Sequence, residues 1–224
     1  MLAFIVGLKA EAKILEPLGV RAFIGGGTAA GAAAASHRAI ENGAHALVSF
    51  GLAGGLNPAL EAGHLIVPAH VVLHGRQLPA DEYLSTALGG INSAALVAAD
   101  SVIGSVAGKA ERWNDMHADA VDLESGAVAA AARRANIPFA VLRAICDPAT
   151  RPLPPAAMAG LNKSGGISLV GLALSLLTNP GQISDLMALS RDAAQARQAL
   201  VGRVGVLCNS ADLRRWKMSA PIGF

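Results

Sequence analysis

Three acids in this 224-residue chain stand where an α/β protein can use them. Glu11 lies just beyond the apolar run Leu2–Val6. Glu124 stands at the mouth of an alanine-rich segment. Asp147 follows Arg143-Ala144-Ile145-Cys146 at the end of another apolar run. In an open parallel sheet, ligands bind beyond the carboxyl ends of the strands, so Glu11 and Asp147 can face one crevice. Each acid has a plainer alternative, as a helix cap or a dipole partner. Arg143 sits inside an apolar run; if buried it needs a carboxylate, and its plain role is a structural ion pair.

Two glycine-rich turns come next. Gly25-Gly26-Gly27-Thr28-Ala29-Ala30 follows a strand and opens a helix, the position of a dinucleotide fingerprint. The acid that would hold a ribose should end the following strand, yet that strand ends in Phe50-Gly51, which disfavours the reading and leaves a tight turn. In Gly51-Leu52-Ala53-Gly54-Gly55-Leu56, small residues let a ligand approach backbone N–H groups closely. The histidines His37, His45, His64, His70, His74 and His117 form no H-E-x-x-H, so no metal site is expected. Ser49, Ser101 and Ser125 lack a G-x-S-x-G setting, which disfavours a serine hydrolase. Cys146 and Cys208 make neither a C-x-x-C nor a disulfide framework.

The elements that must position these residues follow from the pattern of apolar runs. Strands are predicted at Leu2–Val6, Val20–Ile24 and Ala46–Phe50, with helices at about Ala10–Leu18 and Ala29–Asn42, the latter capped by Thr28 and stopped at Gly43. Continuously apolar strands alternating with helices predict an α/β fold: a single domain over residues 1–224, with a central mixed, largely parallel sheet flanked by helices. Leu65–Leu73 is strand-like but broken by Pro68, and Gln77–Asn92 reads as loop or surface insertion. Further expectations are a strand at Leu96–Ala99, helices at Ser105–Asn114 and Ser125–Ala135, and a strand at Phe139–Ile145. A stiff connector then carries Pro152, Pro154 and Pro155, before helices at Ile167–Leu177 and Ile183–Leu200.

Composition narrows the class. Hydrophobic residues are 53% and charged residues 15%, which excludes a disordered chain. A net charge of +2 without like-charge blocks argues against nucleic acid as partner. No run reaches the roughly 18 apolar residues of a membrane span, and the N-terminus has no basic leader, so a cytoplasmic protein is expected.

Four segments, taken in order, resemble the nucleoside phosphorylase superfamily, and within it the methylthioadenosine/S-adenosylhomocysteine nucleosidases. They are Ile5-Val6-Gly7 with Glu11-Ala12-Lys13-Ile14-Leu15, then Phe50 to Leu56, then Val121-Asp122-Leu123-Glu124-Ser125, then Val141-Leu142-Arg143-Ala144-Ile145-Cys146-Asp147. The start at Gly7-Leu8 with Glu11-Ala12 and the run from Val121 to Gly126 are most similar to the hopanoid-associated phosphorylase branch. The resemblance implies cleavage of the N-ribosidic bond of an adenine nucleoside with a modified 5′ group, of adenosyl-hopane type. Asp147 would protonate N7 of the leaving purine, Glu124 would hydrogen-bond ribose hydroxyls, and Glu11 would take a proton from the attacking water. Ala53, Gly54, Val102, Leu123, Arg143 and Cys146 would line the substrate. It implies no cofactor, a homo-oligomer, and, for a terpenoid substrate, loose contact with a membrane surface.

The departures matter. Matching Glu11 to the family's catalytic base requires a one-residue gap. Leu52 stands where the family's glycine loop has a hydroxyl, Val102 where it has a Phe, Leu123 where it has a Met and Cys146 where it has a Ser. Without the loop hydroxyl, water is favoured over phosphate as nucleophile. The alternatives are a phosphorolytic enzyme, a nucleosidase for methylthioadenosine, S-adenosylhomocysteine or futalosine, and a ligand-binding domain that has lost catalysis.

Overall fold

The computed structural model describes residues 1–155, 157 and 180–218. Strand β1 (Leu2–Val6) is buried along its whole length, because its two faces meet two different layers. Leu2, Phe4 and Val6 join one core cluster, and Ala3 and Ile5 join another. Such two-sided burial is what a continuously apolar strand requires. Helix α1 (Lys9–Ile14) and a 3₁₀ turn (Glu16–Leu18) lead to β2 (Arg21–Ile24), parallel to β1. The helix expected through Leu18 thus breaks at Leu15, since Pro17 cannot donate to the helical ladder. Thr28 caps α2 (Ala29–Glu41), accepting from the Gly31 N–H at 3.1 Å.

The long strand β3 (Ala46–Gly55) organises the sheet. It was expected to stop at Phe50, with a turn from Gly51. Instead Gly51–Gly55 stays extended, because β9 (Phe139–Asp147) pairs alongside it as far as Gly54. Strands β4 (Leu65–Ile66) and β5 (Pro68–Leu73) separate at Val67, and they pair with different strands, β9 and β7 (Ser93–Ala98). The stretch expected to be loop, Gln77–Asn92, lies mostly in strand β6 (Arg76–Pro79) and helix α3 (Glu82–Ala87), the latter capped by Asp81. Helix α4 (Val106–Met116) leads to a short strand that sequence reasoning missed, β8 (Ala120–Asp122), and then to α5 (Ser125–Arg134).

Among the described residues the sheet has nine strands and runs β2-β1-β3-β8-β7-β5-β6, with β9 and β4 joined through β3. The neighbours of β1, of β7 and of the length of β3 shared with β9 are parallel, while β8 meets β3 antiparallel. On one face, α2 and α5 pack through Ala32, Ala35, Ala39, Val128, Ala129 and Ala132, small side chains that let the helices sit close. On the other lies α6 (Ile183–Cys208), whose Ala196, Leu200, Val204 and Leu207 cover Phe4, Phe50 and Leu142. The helix expected to end at Leu200 continues because this apolar face persists to Leu207. Helix α7 (Ala211–Met218) follows, in a tail that sequence reasoning could not place. The helix expected at Ile167–Leu177 lies outside the described residues.

Candidate active site

The sheet has a gap that becomes the site. One edge of β3 pairs with β1 over Ala46–Phe50 and with β8 over Gly54–Gly55. Between them, no strand of the described residues pairs with Gly51–Ala53 on that side. A switch of neighbours of this kind is where open α/β sheets form a crevice. The Glu11 carboxylate fills the gap: Oε1 accepts the Leu52 N–H at 3.1 Å, and Oε2 accepts the Gly7 and Leu8 N–H groups at 2.9 Å each. Glu11 therefore does cap α1, as the plainer reading had it, but it also bridges β1 to β3.

Glu124 reaches the same place from β8. A Cβ on Gly7 would lie 3.0 Å from both Glu124 carboxylate oxygens and 3.3 Å from Glu11 Oε2. A Cβ on Gly51 would lie 2.4 Å from Glu11 Oε1 and 2.7 Å from Arg143 Nη1. These two glycines are needed because the acids and the guanidinium occupy the space a side chain would fill. Glu124 is the N-cap residue of α5, yet its side chain makes no capping bond. Asp122 caps instead, accepting from the Glu124 and Ser125 N–H groups at 3.2 and 3.0 Å. The Glu124 carboxyl is thereby released toward the crevice.

Arg143 is 1% exposed and lies between these acids. It meets Asp122 Oδ2 at 2.8 Å and Glu124 Oε2 at 3.2 Å, and donates to the Ser49 hydroxyl at 2.7 Å and the Leu52 carbonyl at 3.3 Å. One cation thus serves two carboxylates. Burial is the main influence on Glu124, raising its pKa to about 7 against the opposing pull of Arg143, with Asp122 and Glu11 adding to the rise. Glu124 Oε1 is buried without a hydrogen-bond partner among the described residues.

Asp147 ends β9 opposite Gly54, three residues along β3 from Gly51, or roughly 10 Å at strand rise. It is 8% exposed. Its Oδ1 meets Lys109 Nζ at 2.8 Å, and its Oδ2 is 3.7 Å from where a Gly54 Cβ would be. Burial raises the Asp147 pKa, and Lys109 opposes the rise. Sequence reasoning missed Lys109. It lies on a mostly polar helix, and nothing in its spacing marks it as the fully buried residue it is. Cys146 links the two halves of the site: burial pushes its thiol up to about 12, and the Asp147 and Glu11 carboxylates both add to that.

The remaining sequence candidates are placed as follows. Ala53 is buried on β3, with Gly54 half-buried beside it, and Leu123 is half-buried between Asp122 and Glu124. Val102 is half-buried on the loop before α4, a loop that the Leu153 N–H ties to Gly104 at 2.8 Å. Gly25 and Gly26 donate to the Val6 and Gly7 carbonyls, and a Cβ on Gly31 would strike the Gly25 carbonyl at 1.6 Å, so that turn is closed by its own backbone. No cluster of three or more metal-ligating side chains occurs among the described residues. Two surface clefts lie away from the acids. One of about 970 Å³ has Arg76, Arg133 and Arg134 in its wall, and one of about 580 Å³ lies between His64 and α6. No helix of the described residues is long and apolar enough to cross a membrane.

No curated protein sequence matches the chain. Solved structures do. The putative 5′-methylthioadenosine/S-adenosylhomocysteine nucleosidase of Francisella philomiragia is similar with a TM-score of 0.67 and 16% identity, over 92% of this chain and 97% of that one. The 5′-methylthioadenosine/S-adenosylhomocysteine nucleosidase of Neisseria meningitidis, in complex with methylthio-immucillin-A, gives 0.63 and 19%, over 91% and 97%. A futalosine hydrolase mutant of Helicobacter pylori gives 0.58 and 16%, over 64% and 88%. At these identities the likeness establishes the fold. Residues 17–97 and 91–157 match the family model of the phosphorylase superfamily, and with the sheet and its crevice built as above, the chain belongs to that superfamily.

Proposed function

We propose that this protein hydrolyses the N-ribosidic bond of an adenine nucleoside carrying an apolar 5′ substituent, of the adenosyl-hopane type, and releases adenine. The observation that carries the reading is the placement of Glu11, Glu124 and Asp147 around the Gly51–Gly54 run of β3, the first two at the Gly51 end and Asp147 opposite Gly54. Asp147 gives its proton to N7 of the purine as the C1′–N9 bond breaks. Glu124 accepts from ribose hydroxyls and sets negative charge beside the oxocarbenium-like ribose. Glu11 takes a proton from the water whose oxygen bonds to C1′. A positioned proton transfer of this kind contributes about 10²–10⁴ in rate.

Water is favoured over phosphate because, among the described residues, the two cations paired with the site's acids are already committed. Arg143 is paired with Asp122 and Glu124, and Lys109 with Asp147. A phosphate dianion needs Arg or Lys plus backbone donors, and Leu52 brings no hydroxyl to the loop. An apolar 5′ group is supported by the rim. Leu8 and Ile24, 44% and 38% exposed, stand beside the ends of β1 and β2, next to the Gly7–Glu11 corner.

Adenine release should be measured from methylthioadenosine, S-adenosylhomocysteine and 5′-apolar adenosines, with and without phosphate. Phosphate-independent release, fastest from the apolar substrates, is expected. A strict phosphate requirement overturns hydrolysis. Binding of these nucleosides without release from any overturns the enzymatic reading in favour of a binding domain.

A further inference from the structure

Lys109 has no role in the chemistry above, yet it is the most deeply buried cation near it. Its side chain is 0% exposed, and Nζ makes three contacts: Asp147 Oδ1 at 2.8 Å, the Pro148 carbonyl at 2.9 Å and the Arg151 carbonyl at 2.9 Å. An ammonium has three N–H donors, so all are engaged and the group is fixed in direction. Asp147 Oδ2, on the Gly54 side, makes no hydrogen bond among the described residues. Among the described residues the two carboxyl oxygens are therefore unequal: one is pinned by a cation and the other has no hydrogen-bond partner.

We propose that Lys109 is the positioning residue of the Asp147 carboxyl, holding Oδ1 so that Oδ2 alone carries the proton to the leaving base. The inference rests on the acid role given to Asp147 above. A lysine is more than this geometry needs, since a neutral donor could hold Oδ1 equally well. The added charge favours the carboxylate form and weakens its hold on the proton, so that transfer to the base becomes easier. The groups facing Asp147 are Lys109 on α4, Arg151 on the connector, Asp192 on α6 and the neighbouring Cys146. Arg151 and Asp192 form their own ion pair, which leaves Lys109 as the counter-charge bonded directly to Asp147.

The test is Lys109→Met, compared with wild type in the pH profile of adenine release and in the carbon-13 titration of the Asp147 carboxyl. The Asp147 resonance is assigned by its loss in Asp147→Asn. Losing the ammonium must raise the proton affinity of Asp147, so the alkaline limb of kcat and the carboxyl titration should both move up by about 1–3 pH units. Lys109→Arg keeps the charge and should keep both near wild type. If Lys109→Met does not fold, Lys109→Gln makes the same comparison, with a donor retained and the charge gone. A folded variant in which neither readout moves overturns the proposal and makes Lys109 only a tie between α4 and the Pro148–Arg151 connector. If wild type releases no adenine, the enzymatic reading fails, and the carboxyl titration still decides what Lys109 does to Asp147.

Discussion

The two ends of the Gly51–Gly54 run carry opposite electrostatic arrangements. At the Gly51 end, Glu11, Asp122 and Glu124 gather around one guanidinium, and two buried atoms, Glu124 Oε1 and Arg143 Nε, find no partner among the described residues. At the Gly54 end, one carboxyl meets one ammonium whose donors are all satisfied. An excess of negative charge suits a ribose turning cationic. A balanced pair whose second oxygen has no hydrogen-bond partner among the described residues suits a proton donor. The difference teaches that burial alone does not assign a carboxylate's task; the ratio of acids to cations around it does.

The largest break of this comparison is Asp147→Asn, which keeps the shape and removes the proton. Turnover should fall by about 10²–10⁴ or more, with an unchanged circular dichroism spectrum. A variant keeping most of its activity would move the acid role elsewhere. Next is Arg143→Met at the other end. It strands Asp122 and Glu124 without their cation, and chemical denaturation should show a loss of about 3–5 kcal/mol.

Glu124→Gln sharpens the contrast through pH. In the folded chain Glu124 holds its proton up to about pH 7, against an ordinary value near 4.5. Between those values the unfolded chain is ionised while the folded one is not, so stability falls as pH rises through this window. Relieving that cost, the glutamine should stabilise the protein by about 1–3 kcal/mol at pH 8, a gain that disappears near pH 4.5. The same variant should lose activity, and in wild type kcat/KM should decline as pH drops through about 7, where Glu124 gains its proton. The smallest effect lies outside both clusters. Thr28→Ala removes a helix cap at a turn closed by its own backbone, and should cost about 1 kcal/mol with adenine release unaffected. A large loss of activity there would reopen the Gly25–Thr28 turn as a ligand site.

Much of this frame was legible in the sequence. Strands β1, β2 and β9 and helices α2 and α5 announce themselves through apolar runs, glycine stops and Thr28. Glu11 and Asp147 stood out because each followed such a run, and Glu124 because it stood at the mouth of an alanine-rich helix. What was not legible depended on pairing across the chain. Gly51–Gly55 reads as a turn by composition and is strand because β9 lies beside it to Gly54 and β8 pairs with Gly54 and Gly55. Ala120–Asp122 is too short to show a period, and its identity as a strand comes from Gly54 and Leu96. Lys109 gave no sign, since nothing local distinguishes a lysine that turns inward toward the Pro148 carbonyl from one in water. The need of Arg143 for a carboxylate was foreseeable; that it would serve two was not.

The partner exchange along β3 also orders the protein's assembly. Leu47 must wait for Phe139 and Gly54 for Val121. Such long-range pairings slow folding because loop closure precedes any reward from the contact. On the ribosome, an N-terminal portion that has emerged only as far as Gly55 would carry Glu11 and its backbone donors but neither neighbour that completes the strand. The crevice thus cannot be complete until β9 has emerged, and a chain cut before β9 would retain two of its three acids without Asp147 or the strand that brings it to Gly54.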